Sequence, residues 1–459
     1  MKDLSVGKES KLILQFAAPM LIGNVFQQMY NIVDSIIIGN FIGKQALAAV
    51  GASFPIIFAV VSLVLGFGMG ATIIIAQYFG AKQIDKVKRT IDTLYIFLFF
   101  ASIVLSVLGI LFSSHVFRLI QLPEEVIPYA SLYLNIYLSG LIFFFGFAGT
   151  SAILRGLGDS KTPLYFLIVS TITNIVLDLL FVLVFKWGIS GVAIATVISQ
   201  GVTFIGAILY LNKYHKVIRL SVFNMVFDKE IFNKSIKIGL PSGLQQTFVA
   251  LGLMALIWIV NLFGTDVIAA YTIAMRIDSL AVMPAMNFAA ALSAFVGQNL
   301  GANKPERVKA GLLATLKMTS LISVSITVIA ILFSKSLMSI FTTDSNVIEI
   351  GATYLIIVSS FYILFSTLFV YNSVMRGAGD TLIPMFITLI ALWMARIPIA
   401  YFLSQQIGET GIWWSTPIGW FLGMSLSYFY YLSGRWKRKA VVKYDDAGSI
   451  ETSALSELK

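Results

Sequence analysis

The sequence predicts an all-α polytopic membrane protein whose twelve spanning helices form two six-helix repeats, and three observations carry that prediction. Of the 459 residues, 58% are hydrophobic and only 12% charged, against about 25% charged in an ordinary soluble domain. A hydrocarbon core of about 30 Å takes roughly 20 residues of helix to cross. Twelve apolar stretches meet that need, at 12–38, 50–76, 93–113, 129–153, 163–185, 191–211, 236–262, 267–295, 311–333, 350–375, 384–403 and 412–432. The chain also repeats itself. "RGLGD" at 155–159 returns as "RGAGD" at 376–380, a shift of 221 residues, and Pro163 and Pro384 follow at the same distance. The same shift carries Gly43, Ala48 and Ala49 onto Gly264, Ala269 and Ala270, and Gln77, Gly80, Ala81, Val87 and Lys88 onto Gln298, Gly301, Ala302, Val308 and Lys309. An even number of helices per copy makes the repeats parallel, related by an axis along the membrane normal.

Charge distribution sets the orientation. The net charge of +10 does not point to nucleic acid, because most Lys and Arg fall in the N-terminus, the even-numbered loops and the C-terminal tail, while the opposite side has only Lys44, Arg118, Lys186 and Lys335. This is the positive-inside pattern, which predicts a multi-pass protein of a bacterial-type cytoplasmic membrane with both termini in the cytoplasm. The first apolar run is too long and too polar-punctuated for a cleaved leader, so none is expected. Cysteine is absent and the two histidines, His115 and His215, are far apart. Disulfides, thiolate chemistry and a histidine metal cluster are thereby excluded. No G-x-x-x-x-G-K-[ST] loop or nucleophile–base spacing is present, and an enzyme or a direct ATP-driven pump is not expected.

Taken in order, the first helix carries Pro19 and a polar face of Gln27, Tyr30, Asn31 and Asp34. "GFGMG" at 66–70 lies within the second helix, where glycine permits close packing. The fourth helix places Tyr133 and Tyr137 one turn apart, candidates for an aromatic cavity wall that would attract an organic cation. Asn174 and Asp178 are one turn apart in the fifth helix, and Thr196 lies in the sixth. Asp34 is four residues from the outer end of its helix and Asp178 seven, about 6 and 10 Å, so the two carboxylates are expected at similar depth. A charged side chain there costs roughly 2.5 to 3.5 kcal/mol and normally marks an ion or proton path; hydrogen bonding to neighbouring helices is the plainer alternative.

Residues 212–235 read as a cytoplasmic linker, either plain or amphipathic and surface-bound. They separate an N-terminal lobe, 1–211, from a C-terminal lobe, 236–433. Pro241 in the seventh helix falls within a residue of the register of Pro19, and the pair reads as bending elements or as static kinks. Arg276 and Asp278 lie in the eighth helix, two residues apart and so on different faces; Arg396 in the eleventh is a candidate partner for Asp278 across helices. These three charges suit structural bracing or a part in transport. The tail, 434–459, opens with the basic cluster "RWKRK" and then reads as disordered.

The ordered set "APMLIGNVFQQMYNIVDSIIIG", "QYFGAKQIDKVKR", "LRGLGDSKTP", "NIVLDLLFV" with "GVAIATVISQ", then "GLPSGLQQ", "AMRIDSLAVMP", "VGQNLGANKPERV" and "RGAGD" resembles the multidrug and toxic compound extrusion (MATE) family over nearly the whole chain. The resemblance implies two six-helix lobes in a V around a central cavity, and export of organic cations in exchange for H⁺ or Na⁺ by alternating access. In the DinF-like branch, motif positions matching Asp34, Asp178, Asn174 and Thr196 form the cation site, and these oxygen donors suit a hard cation; they would be metal ligands only if the coupling ion is Na⁺. At the repeat shift Asp34 and Asp178 become Ala255 and Ile399, and the seventh and tenth helices lack the carboxylates of the NorM-like branch. The DinF-like pattern is therefore favoured, with Gln27, Tyr30, Asn31, Tyr133 and Tyr137 expected on the substrate cavity. No cofactor is expected, and the partners are small organic cations and membrane lipids, with the chain acting as a monomer. The rival reading, a flippase for a lipid-linked saccharide, would need several cavity-facing Arg or Lys in helices 1 to 6, where the sequence offers none.

Overall fold

A computed structural model describes residues 2–214 and 224–444. Among the described residues sixteen α-helices follow one another and there is no strand. The first half holds α1 (Glu9–Ile37), α2 (Lys44–Gly80), α3 (Ile84–Leu119), α4 (Ile127–Ser139), α5 (Leu141–Gly156), α6 (Lys161–Leu179) and α7 (Gly188–Tyr214). The second holds α8 (Lys229–Val260), α9 (Thr265–Gly301), α10 (Pro305–Leu332), the short α11 (Ser334–Ser339), α12 (Ser345–Ser359), α13 (Tyr362–Gly377), α14 (Leu382–Leu389), α15 (Ile397–Ile407) and α16 (Glu409–Leu432). Among the described residues, eleven spans are long and apolar enough to cross a membrane when each bent helix pair counts as one. The twelfth expected span is α16, whose Trp, Tyr, Ser and Thr residues make it less hydropathic.

Two spans that the sequence presents as single helices are broken. The fourth bends by 51° between α4 and α5 at Gly140, and the tenth by 47° between α12 and α13. The breaks sit at repeat-equivalent positions, and so do the groups that complete them. A break frees backbone carbonyls that lipid cannot satisfy. Here Ser106 Oγ from α3 donates to the Leu138 carbonyl, and Thr327 Oγ1 from α10 donates to the Ser359 carbonyl. Residues 106 and 327, like 138 and 359, differ by the repeat shift, so the duplication copied the bend together with its hydroxyl cap.

The repeated R-G-x-G-D motif has a local cause too. Gly158 and Gly379 adopt φ of 81° and 95°, the left-handed conformation that ends a helix and that side chains other than glycine resist. Gly156 and Gly377 are sites of close approach: a Cβ on Gly156 would meet the Thr72 carbonyl at 2.9 Å and one on Gly377 the Ser293 carbonyl at 2.5 Å. Thr72 and Ser293 are again repeat equivalents. The glycines at 66–70 act as expected, for a Cβ on Gly70 would sit 2.5 Å from the Ser235 carbonyl of α8.

The chain forms two compact units. One contains Met1–Lys2, Pro19–Phe79 and Gln83–Gly243; the other contains Asp3–Ala18, Gly80–Lys82 and Leu244–Lys459. The first turns of α1 thus pack with the second half of the chain, and the division falls at Pro19. Likewise α8 begins in the first unit and passes into the second just after Pro241. The segment before Pro19 is held by the "VGQNLGANKPERV" stretch. Leu4 N donates to Gln298 Oε1 at 2.8 Å, Asn299 Nδ2 donates to the Leu4 carbonyl at 3.2 Å, Arg307 Nη2 donates to the Gly7 carbonyl, and Arg307 pairs with Glu9 at 2.7 Å.

The expected linker is shorter at both ends than 212–235, because α7 continues to Tyr214 and α8 starts at Lys229. Its middle, 215–223, lies outside the described residues, as does the 445–459 part of the tail. The tail's basic cluster forms a 3₁₀ turn, Arg435–Lys439, anchored by buried Trp436, and Tyr444 Oη donates to the Gly301 carbonyl.

Candidate ion and substrate site

Three helices of the first unit build a polar cluster in an apolar setting. α1 supplies Tyr30 and Asp34 one turn apart, α6 supplies Asn174 and Asp178 one turn apart, and α7, packed on α6, supplies Thr196. Asp178, Asn174 and Thr196 are 0%, 1% and 2% exposed, so these polar side chains are enclosed by the helices around them. Thr196 Oγ1 is the hub: Asn174 Nδ2 donates to it at 3.4 Å, and Tyr30 Oη lies 3.3 Å away. Asp34 and Asp178 are close enough for their charges to act on each other. All four residues that the resemblance implies for a cation site are therefore adjacent.

The state of their oxygens defines the chemistry. Asp34 Oδ1, both carboxylate oxygens of Asp178 and Asn174 Oδ1 are buried and find no hydrogen-bond donor among the described residues. Buried acceptors are normally satisfied, and two facing carboxylates cannot satisfy each other unless a proton or a cation lies between them. No group of three or more His, Cys, Asp or Glu residues that could hold a metal occurs among the described residues. Two carboxylates with neutral amide and hydroxyl oxygens fit a proton or a hard monovalent ion. Just beyond the acids, both helices pass into π-turns, Ile38–Ile42 and Leu180–Val184, a local widening found often at functional positions.

Next to this cluster the first unit holds a cavity of about 470 Å³, lined by Pro19, Gln27, Asn31 and Tyr137 together with aromatic Phe54 and Phe58. The residues expected on a substrate cavity divide. Gln27, Asn31 and Tyr137 line it, whereas Tyr30 and Tyr133 do not and lie within electrostatic reach of Asp34. Tyr133 connects the two groups by stacking on Tyr137 with ring centroids 6.4 Å apart. One lining residue corrects the sequence reading: Arg155, at the C-terminal end of α5, faces this cavity, so the first six spans do supply one cationic side chain. The R-G-x-G-D pattern held the signal, since its glycines fix the helix end that carries the arginine.

In the second unit the three expected charges separate. Arg276 is exposed, while Asp278 and Arg396 both line a cavity of about 340 Å³. Asp278 Oδ1 accepts from Tyr362 Oη at 2.8 Å. Arg396 is close enough for its charge to act on Asp278, though no ion pair within 4 Å joins them among the described residues. Gln245 and Arg376, which the sequence reading passed over, line the same cavity. Where Asp34 has its repeat equivalent, Ala255, the second unit has a recess shared with Trp258, Ile259, Ile397 and Pro398, with no carboxylate.

Known proteins agree with this architecture. A family-wide sequence model described as MatE matches residues 19–180 and again 241–402, one match per repeat. The "Probable multidrug resistance protein YpnP" of Bacillus subtilis (strain 168) is 33% identical over 95% of this chain and 97% of its own length. The "Probable multidrug resistance protein NorM" of Thermotoga maritima is 29% identical over 94% of each. A solved structure of an outward-facing multidrug resistance MATE family transporter of the MOP superfamily covers 96% of this chain and 99% of that one, with a TM-score of 0.89 at 23% identity; at that identity the likeness speaks to the fold.

Proposed function

Because the chain belongs to the MatE family of membrane transporters, we propose that it is a secondary active antiporter that exports organic cationic or amphipathic compounds in exchange for H⁺ or Na⁺. The observation that carries this reading is the pairing of half-buried Asp34 with fully buried Asp178, three of whose four carboxylate oxygens are enclosed and unsatisfied. With both acids ionised the Asp34–Asp178 cluster carries two negative charges, against the single Arg155 on the cavity wall, and favours a cationic ligand in the adjoining cavity, where Phe54, Phe58 and Tyr137 offer ring faces. A proton or Na⁺ taken up between the acids, with Asn174 and Thr196 as neutral oxygen donors, removes that negative charge and releases the ligand. Alternating exposure of the cavity to the two sides of the membrane would turn this exchange into export. The driving force suffices: one charge moved through 100 mV supplies about 2.3 kcal/mol, roughly fifty-fold in an equilibrium.

The absence of a matching acid pair around Ala255 and Ile399 supports coupling in the first unit alone, the DinF-like arrangement. The orientation that the charge pattern favours has both termini in the cytoplasm. The flippase alternative gains only the single Arg155, too little positive charge for a polyanionic lipid carrier. Transport in proteoliposomes with Na⁺ and pH gradients imposed separately tests the assignment. Asp34→Asn and Asp178→Asn should lose cation-driven efflux while the proteins stay folded; full gradient-driven activity in both variants would refute it.

A further inference from the structure

The cavity of the second unit has an electrostatic character opposite to that of the acid cluster. Two guanidinium groups, Arg376 of α13 and Arg396 at the end of the π-turn Ile390–Arg396, line it, with Asp278 as the only carboxylate among the lining residues. Asp278 already accepts from Tyr362 and answers one of the two positive charges. Among the described residues the other is met by neutral groups alone. Arg376 Nη2 donates to Gln245 Oε1 at 2.7 Å, and the Gln245 amide is oriented in turn by Thr388 Oγ1 at 2.5 Å and by the Pro384 carbonyl at 3.3 Å. This chain of bonds fixes the guanidinium before any ligand arrives.

Both arginines retain an Nε–H that is buried and without an acceptor among the described residues. An unpartnered cationic donor in such surroundings is costly, and an Arg fork is shaped for a planar, bidentate anion. The remaining walls are apolar and aromatic: Trp420 lies edge-on to Phe365 with centroids 5.1 Å apart, and Phe365 packs on Phe369 at 4.4 Å. One uncompensated positive charge, two open donors and an aromatic wall in about 340 Å³ define a small amphipathic monoanion. We propose that this cavity binds an organic monocarboxylate, its head between Arg376 and Arg396 and its apolar body against Trp420 and Phe365. The inference goes beyond the antiport reading, since it needs no gradient and no acid pair.

The test is equilibrium binding of 2-naphthoate, followed by its fluorescence polarisation, to the protein in phosphatidylcholine nanodiscs, with 2-naphthamide and 2-naphthylmethylammonium as matched neutral and cationic probes. Naphthoate should bind saturably and in preference to both. Arg376→Gln and Arg396→Gln should each weaken it by about tenfold or more, whereas Asp278→Asn, which removes the competing carboxylate, should strengthen it several-fold. A purely bracing role for Arg396 predicts no such gain. Where a Gln variant fails to fold, Arg376→Lys and Arg396→Lys keep the charge but lose the fork, and weaker naphthoate binding with retained preference over the amide is then expected. Equal binding of acid and amide, unchanged affinity in the arginine variants, or weaker binding in Asp278→Asn would overturn the proposal. So would displacement of naphthoate by phosphatidylglycerol, which would assign the anion to a lipid headgroup.

Discussion

Replacing Asp178 by Asn keeps the volume of a side chain that is 0% exposed and removes one of two neighbouring charges. A cationic ligand about 4 Å from one such carboxylate, at an effective dielectric constant of about 20, is attracted to it by about 4 kcal/mol. That figure bounds how strongly uptake of a proton or Na⁺ can be coupled to ligand release, and it corresponds to roughly a thousandfold in affinity. In the wild type, the affinity for tetraphenylphosphonium, measured by equilibrium dialysis in nanodiscs, should therefore shift by about tenfold to a thousandfold between alkaline, Na⁺-free medium and acidic or Na⁺-rich medium. In Asp178→Asn the same comparison should shrink to about twofold or less. The amide brings an N–H to oxygens that now have no donor, Asp34 Oδ1 and Asn174 Oδ1. Satisfying a buried acceptor offsets about 1–3 kcal/mol, so the variant should melt no lower than the wild type. A variant that keeps the wild-type ion dependence would remove the acid pair from the mechanism; one that loses binding and melts early would mean that Asp178 holds the fold.

Thr196→Val cuts the contacts to Tyr30 and Asn174 and removes one neutral oxygen; Na⁺-driven efflux should fall by about tenfold or more while proton-driven efflux survives, as two gradient assays on one preparation would show. Ser106→Ala and Thr327→Val each leave a carbonyl uncapped at a helix break, and each should cost about 1–3 kcal/mol in thermal or denaturant unfolding. Gly377→Ala forces a Cβ to 2.5 Å from the Ser293 carbonyl; a loss of about 1–3 kcal/mol is expected, and an unchanged melting temperature would contradict the packing described.

Much of this fold is readable because a membrane imposes simple demands. Length and hydropathy mark the spans, and a fixed shift of 221 residues exposes the duplication. Asp34, Asp178, Asn174 and Thr196 stand out because polar side chains at membrane depth are costly and therefore conspicuous. The helix breaks were not legible. Gly140 suggests one, but Phe361, its counterpart, does not, and the hydroxyls that complete both breaks come from helices some thirty residues earlier. Arg155 and Arg376 were hidden for another reason: each falls at a helix end, where an arginine ordinarily reaches for headgroups, yet each lines a cavity inside its own unit. The division of the tyrosines also escaped a face-by-face reading, because Tyr30 and Asn31 are neighbours in sequence and the helix turns them to different surroundings.

The placement of Asp3–Ala18 with the second half means that covalent order and structural allegiance disagree. If the gene were split within the connection after Tyr214 and the two polypeptides made separately, the first would carry an arm whose docking surface, Gln298, Asn299 and Arg307, belongs to the second. Such fragments would each be left incomplete alone and supplied with a specific tether for reassembly, and an N-terminal deletion would wound the half of the molecule that, along the gene, lies farther from the cut.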